Sequence, residues 1–226
     1  MKCFRISALL CTMLVGVVSM NAQTTTAEIA KERAELAKMT KAELNERATK
    51  SARKEAKQYK RDDWKVAPGN LPMEKQLDKS YQMKLQLDES GYPKYVTGQG
   101  QSVGDTYDAA LMQANEIAKI NLAENISQEL TIITESNIAN SQESRRDATS
   151  VVETIMASKS IVEQKIGRVI PVVELYRELR AGRCEVRIVI AYGYEDAMAI
   201  ARDAVREELK DKAEELQEEV NALLDL

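Results

Sequence analysis

Apolar positions recur along this chain with two different periods. Between Asp108 and Ile126, the residues Leu111, Ala114, Ala118, Leu122 and Ile126 fall three or four apart. Tyr107, Ala110 and Ile117 widen that stripe, which predicts an amphipathic helix whose small alanines let it lie close against a sheet. Over 168–179 and 184–192 the period drops to two. Val173, Leu175 and Leu179 alternate with Glu174, Tyr176 and Glu178, and Val186, Ile188 and Ile190 alternate with Glu185, Arg187 and Val189. Two strands follow, joined through a turn at 180–183 that contains Gly182 and closed by Gly193.

Upstream, Lys94–Thr97 is extended, and Gly98, Gly100 and Gly104 predict a tight turn and bulge between a strand and the long helix. Asp105 is the expected N-cap. The three glycines are spaced one residue too widely for a dinucleotide-binding loop, and the Gly-Lys-Ser/Thr of a phosphate loop is missing. Leu130–Ile133 fits either a strand or the end of the helix, and the polar stretch 137–147 reads as an exposed turn. A further helix from about Ala148 carries Val151, Ile155, Ser158 and Val162 and is stopped by Gly167.

The flanks are helical and charged. From Thr26 to about Lys60, Ala27, Ala30, Ala34, Ala37 and Leu44 recur at helical spacing among Glu, Lys and Arg. That apolar face is small, so the segment is either a solvated arm or a helix that pairs with something. Lys50–Arg61 is locally basic, and a solvated face is favoured there over contact with headgroups or nucleic acid. Pro68 and Pro72 interrupt the run, with Trp64 and Val66 pinning the connector to the body. Leu71–Leu87 reads as a helix with Met73, Leu77, Tyr81 and Leu85 on one face. Tyr194–Leu226 reads as one helix, in which Leu209, Ala213, Leu216, Val220 and Leu223 form a short heptad seam. That seam either docks within the chain or mediates dimerisation.

Composition narrows the chemistry. Residues 1–22 have the order of a secretory signal peptide: Lys2 and Arg5, the apolar run Ile6–Val18, and a small residue, Ala22, at the expected cut. The run is too short for a comfortable transmembrane helix, so no span is expected after cleavage. Leu10 precedes Cys11 where a lipidation signal wants a small residue. Cleavage removes two cations and no acid, taking the formal net charge from −4 to −6, a balance that gives no support for nucleic-acid binding. Histidine is absent, and Cys184 is the one cysteine beyond the signal. Zinc sites, Cys–His nucleophiles and Ser–His–Asp triads are thereby excluded, and no cofactor is expected. Cys184, beside apolar neighbours, is expected to be a buried, inert thiol. Carboxylate-only catalysis stays open through Glu174, Glu178 and Glu185, although these alternate with arginines as solvent-facing strand residues do. One Trp, one Phe and eight Tyr make a sugar-stacking or base-stacking platform a poor fit.

Several of these segments together resemble one family. They are Val96-Thr-Gly-Gln-Gly100, the helix from Tyr107 to Ile126, Ser158–Val162 leading to Gly167-Arg-Val, and the pair Val172–Tyr176 with Glu185–Ile190. Over about 94–193 the chain is similar to the LPP-type 20 kDa bacterial surface lipoproteins, related to the N-terminal domain of flagellar assembly protein T. The resemblance implies a compact α+β domain with two helices against a small antiparallel sheet, at a Gram-negative cell envelope, and carries no catalytic residues. The expected organisation is a signal peptide (1–22), a charged helix (23–66), a linker with a short helix (67–93), the α+β domain (94–193) and a C-terminal amphipathic helix (194–226).

The leading functional expectation is a non-enzymatic exported protein of the periplasm or outer membrane that acts through protein contacts or self-association. Peripheral envelope association stays open. The alternatives are a small-ligand or peptidoglycan-binding module and, behind it, a carboxylate-only hydrolase. The candidate contact residues are Gly98, Gly100 and Gly104 in the turn, and Leu209, Leu216, Val220 and Leu223 in the seam.

Overall fold

The computed structural model describes residues 47–89, 91–141 and 145–211, with the backbone alone over 137–149 and at 211. Its helices are α1 (Lys50–Arg61), α2 (Met73–Leu85), α3 (Tyr107–Ser141), α4 (Arg145–Ala157), α5 (Lys159–Lys165) and α6 (Tyr194–Glu208). Its strands are β1 (Tyr95–Gly104), β2 (Ile170–Glu178) and β3 (Cys184–Gly193). They form an antiparallel sheet of order β1-β3-β2, which makes this an α+β fold. The described residues all fall in one compact unit, 47–226.

The central strand is the one whose residues can be buried on both sides. Val186, Ile188 and Ile190 face a core with Leu122, Ile126 and Leu130 of α3, Ile155 of α4, Val162 of α5 and Met198 and Val205 of α6. Val189 and Ala191, pointing the other way, join Val173 and Leu175 of β2 in a second core under Ala52, Ala56, Trp64, Met73 and Leu77. Helices therefore cover both faces of the sheet, where a pair of helices was expected. Trp64 is buried and Val66 packs beside it, so the connector is held as predicted.

The glycine stretch corrects the sequence reading. Gly98, Gly100 and Gly104 form no turn; they lie in β1, which runs unbroken to Gly104. None of the three has a positive φ. They are required because α3 lies directly on the strand. A Cβ at Gly98 would come 2.7 Å from Leu122 Cβ, one at Gly100 2.7 Å from Ala118 N, and one at Gly104 2.7 Å from Ala110 N. The turn into α3 is shorter, and Thr106 rather than Asp105 caps it, its Oγ1 accepting from Ala109 N at 3.2 Å.

Other boundaries shift for local reasons. Residues 130–133 belong to α3, which continues to Ser141, so helix occupies part of the expected turn. Ile117 is exposed and does not widen the buried stripe. The following helix breaks at buried Ser158, whose Oγ donates to Ile155 O at 2.8 Å, and ends at Lys165, before Gly167. In α2, Met73 and Leu77 are buried but Leu85 is 77% exposed. The N-terminal helix does not run through to Lys60: residues 47–49 are non-helical, and Thr49 starts α1 by accepting from Ala52 N. With Ala52 and Ala56 fully buried, α1 is no solvated arm.

Both sheet edges are occupied. Asn121 and Asn125, one turn apart on α3, donate to Gln99 O and Thr97 O at 2.7 and 2.8 Å along β1. On β2, Lys65 exchanges two backbone bonds with Tyr176, and Gln76 Oε1 accepts from Glu174 N at 2.7 Å. Edge groups satisfied in this way are not templates for another strand.

Candidate functional site

The expected contact residues that are described, Gly98, Gly100, Gly104 and Leu209, do not form a surface. Gly98 and Gly100 are buried beneath α3, and Gly104 is partly covered by it. Leu209 is 2% exposed and belongs to the main core, beyond the end of α6, so it is no free seam position. Leu216, Val220 and Leu223 lie outside the described residues, as does the signal segment.

The three glutamates do not converge either. Glu174 pairs in register with Ile188, and Glu185 with Arg177, which puts their side chains on opposite faces of the sheet. Glu174 accepts from the Tyr107 hydroxyl at 2.6 Å and from Asn70 Nδ2 at 2.9 Å. Glu178 pairs with Lys65 at 3.0 Å. Glu185, expected to face solvent, is buried: it meets Arg177 Nε at 2.6 Å and Gln101 Nε2 at 2.5 Å. The Arg177 guanidinium in turn lies 4.9 Å from the centre of the Trp64 ring. A charge buried this way is held by its ion pair, its amide donor and an aromatic face together. Cys184 is buried, and burial pushes its thiol pKa up, with Glu178 and Glu185 adding to the shift. Among the described residues, no group of side chains could hold a metal, and no helix is long and apolar enough to cross a membrane.

Two adjoining clefts open at the end of the sheet where β1 begins and β3 passes into α6. One, of about 270 Å³, lies among Asp88, Lys94, Tyr95 and the start of α6. The other, of about 240 Å³, lies between α3 and β1 and is lined by Tyr95, Asn125, Gln128 and Ile132. Pro93, Tyr95 and Tyr194 border both.

Local sequence builds this end. Asp88 N donates to Tyr92 O at 2.7 Å and Asp88 Oδ1 accepts from Tyr92 N at 2.8 Å, closing a turn in which Gly91 takes φ +87°. That turn presents the Tyr92 ring to Tyr194, stacked with centroids 6.1 Å apart and planes 20° apart. Tyr194 N donates to Lys94 O at 3.0 Å, tying α6 to the strand entry. Burial, with Glu129 next in weight, pushes the Tyr194 phenol pKa up, so it stays a neutral hydroxyl. Ile132 in the cleft lining, Tyr92 on the Tyr194 ring and Leu87 beside Pro93 are all more than half exposed, as is Leu85 at the end of α2. Leu87 bridges to Pro93 in the wall.

The chemistry available here is recognition: apolar and aromatic surface with an amide and carboxylate rim. The sequence signal for it was weak. Leu85 and Leu87 carry an apolar pattern past the end of α2 where nothing buries them. No family model matches the chain, and neither the curated proteins nor the solved structures yield a match.

Proposed function

We propose that this chain is an exported, non-enzymatic cell-envelope protein, of the kind its resemblance to the LPP-type surface lipoproteins implies, and that it works through protein–protein contacts made at its open end. The observation that carries the reading is the paired clefts with exposed Ile132 in the lining of one, exposed Tyr92 stacked on the Tyr194 that borders both, and exposed Leu87 bridged to Pro93. Exposed aliphatic and aromatic side chains beside concave surface are what a protein partner buries. The sheet edges, by contrast, are already occupied.

The test is a photo-reactive amino acid placed at Tyr92 or Ile132, with exposed Arg183 at the opposite end of the sheet as control, in the full chain expressed in its own cells. Discrete protein adducts from the first two positions and not the third are expected. Equal adducts at all three, or none, sink the reading. Export is tested separately, since the protein from fractionated cells should begin at Gln23 and be absent from the cytoplasm.

A second reading, a small-ligand or peptidoglycan-binding module, is favoured by the cleft between α3 and β1, which sets Tyr95 and Tyr194 beside the amides of Asn125 and Gln128. Asn125 donates to Thr97 O at 2.8 Å, while Gln128 Nε2 makes only a long bond to Glu124 Oε1, at 3.5 Å, and is the amide more readily given up to a ligand. Saturable binding of soluble muropeptides, lost in Gln128→Ala, would establish this reading over the first.

A further inference from the structure

We propose that the outer face of α1 is a docking surface for an anionic lipid bilayer, with Lys50, Lys54, Lys57 and Arg61 as its headgroup contacts. These residues step by four, three and four. At 100° per residue they fall within about 60° of one another around the axis, in a row about 16 Å long. All four are exposed, while Ala52 and Ala56 on the opposite face are fully buried. The row is therefore displayed in one direction from an anchored helix. Thr49, at the start of α1, donates through Oγ1 to Asp78 Oδ1 at 2.7 Å, and the Tyr81 hydroxyl of α2 bonds to Glu55.

The other two cations of α1 are engaged. Lys60 pairs with Glu74 at 2.6 Å, and Arg53 Nε donates to Ala48 O at 3.1 Å. None of the four in the row has a side-chain hydrogen bond or ion pair among the described residues. Helix stability accounts for Arg61, in the last turn at the negative end of the helix dipole, but not for the start of the row. The first turn of α1 holds no acid, and Lys50 sits at the positive end of the helix dipole, where a cation is unfavourable. The whole chain is acidic, at −4, so four cations in line with no acidic partner among the described residues depart from its general balance.

Lys54, Lys57 and Arg61 also border a shallow groove of about 610 Å³ with Ser51, Gln58 and Tyr81, and the Glu55 carboxylate in it is already taken by Tyr81. A straight, lysine-dominated row suits the diffuse field of a headgroup plane. Nucleic acid is read better by several arginine forks and free stacking aromatics; this row carries one arginine, Arg61, and the Tyr81 ring bordering its groove is tied to Glu55.

The experiment is co-sedimentation of the full chain with phosphatidylcholine vesicles, with and without about one-third phosphatidylglycerol. It compares wild type, Lys50→Gln/Lys54→Gln/Lys57→Gln/Arg61→Gln, and a control, Lys159→Gln/Arg183→Gln. Glutamine keeps helix propensity, and matching circular dichroism melts confirm that the fold survives. Wild type and control should bind only the anionic vesicles and release them as salt rises. The quadruple variant should lose about fivefold in affinity per charge, several hundredfold together. Apolar insertion of residues 6–18 would bind neutral vesicles equally, resist salt and ignore the four substitutions; that result overturns the proposal. Tighter binding to duplex DNA than to vesicles, or full release by millimolar inorganic phosphate at constant ionic strength, also overturns it, by assigning the row to a polyanion or a free anion.

Discussion

Gly100 and Ala114 meet backbone to backbone: a Cβ on the glycine would fall inside the van der Waals surface of the alanine carbonyl oxygen. Gly98 bears the same relation to Ala118. Two residues along β1 thus match four along α3, so the helix runs antiparallel along the strand, and from Ala110 to Leu122 it rests on the three glycines. Gly100→Ala must push that contact apart, and a loss of about 3 kcal/mol is expected from overpacking. At Gly167 the nearest atom is 3.9 Å away and φ is not positive, so Gly167→Ala should be neutral or slightly stabilising. Urea unfolding of the two variants checks both.

Arg177 and Glu185 form the most buried ion pair among the described residues, with Trp64 beneath the guanidinium. Arg177→Ala leaves a buried carboxylate with Gln101 alone and uncovers the indole, for an expected loss of about 2–4 kcal/mol. Arg177→Met with Glu185→Gln should recover much of it, because the uncompensated charge is gone. A double-mutant cycle from denaturation midpoints measures the coupling.

Tyr107 and Tyr81 predict the alkaline behaviour. Burial first, and then the bond to Glu174, push the Tyr107 phenol well above its ordinary value; the bond to Glu55 pushes Tyr81 up to about 12. Both folded values lie above the unfolded one near 10, so their contribution is full below pH ~10 and is lost as pH rises through the folded values. Above that point the unfolded state binds fewer protons, and stability falls with pH. Buried Cys184, also raised, adds in the same sense from about pH 9 upward. Unfolding midpoints between pH 8 and 11 should be flat and then decline, and Tyr107→Phe should decline less.

Cys184 should react slowly with a soluble thiol reagent in the native protein and rapidly in denaturant, since its sulfur is buried. A native rate equal to the denatured rate would contradict its placement.

Asn121 and Asn125 guard the β1 edge. Their bonds are solvent-exposed, so Asn121→Ala/Asn125→Ala should cost only about 1–2 kcal/mol. The larger effect should be self-association that depends on concentration, because two edge carbonyls become free to pair. Light scattering across a dilution series reads it.

What the sequence determined by itself is what repeats locally. The alternation over 170–178 and 184–193 and the three-four spacing from Tyr107 to Ile126 specify strands and helix because neighbouring side chains share a face. These elements agree with the α+β class that the resemblance implies, and the apolar neighbours of Cys184 foretell its burial.

Tertiary structure decided the rest, through partners far apart in the chain. Gly98, Gly100 and Gly104 look like a turn on propensity, and only the helix lying on them makes them a strand. Glu185 alternates like a surface residue, but Arg177 and Gln101 meet it from other strands, which one strand's pattern cannot report. Leu209 reads as a seam and is core, because Val205 and the helices beside it reach it first. The clefts between Tyr95, Tyr194 and α3 exist only once β1, β3 and α6 are assembled. A cavity is what several elements leave unfilled between them, and no single stretch of sequence encodes it.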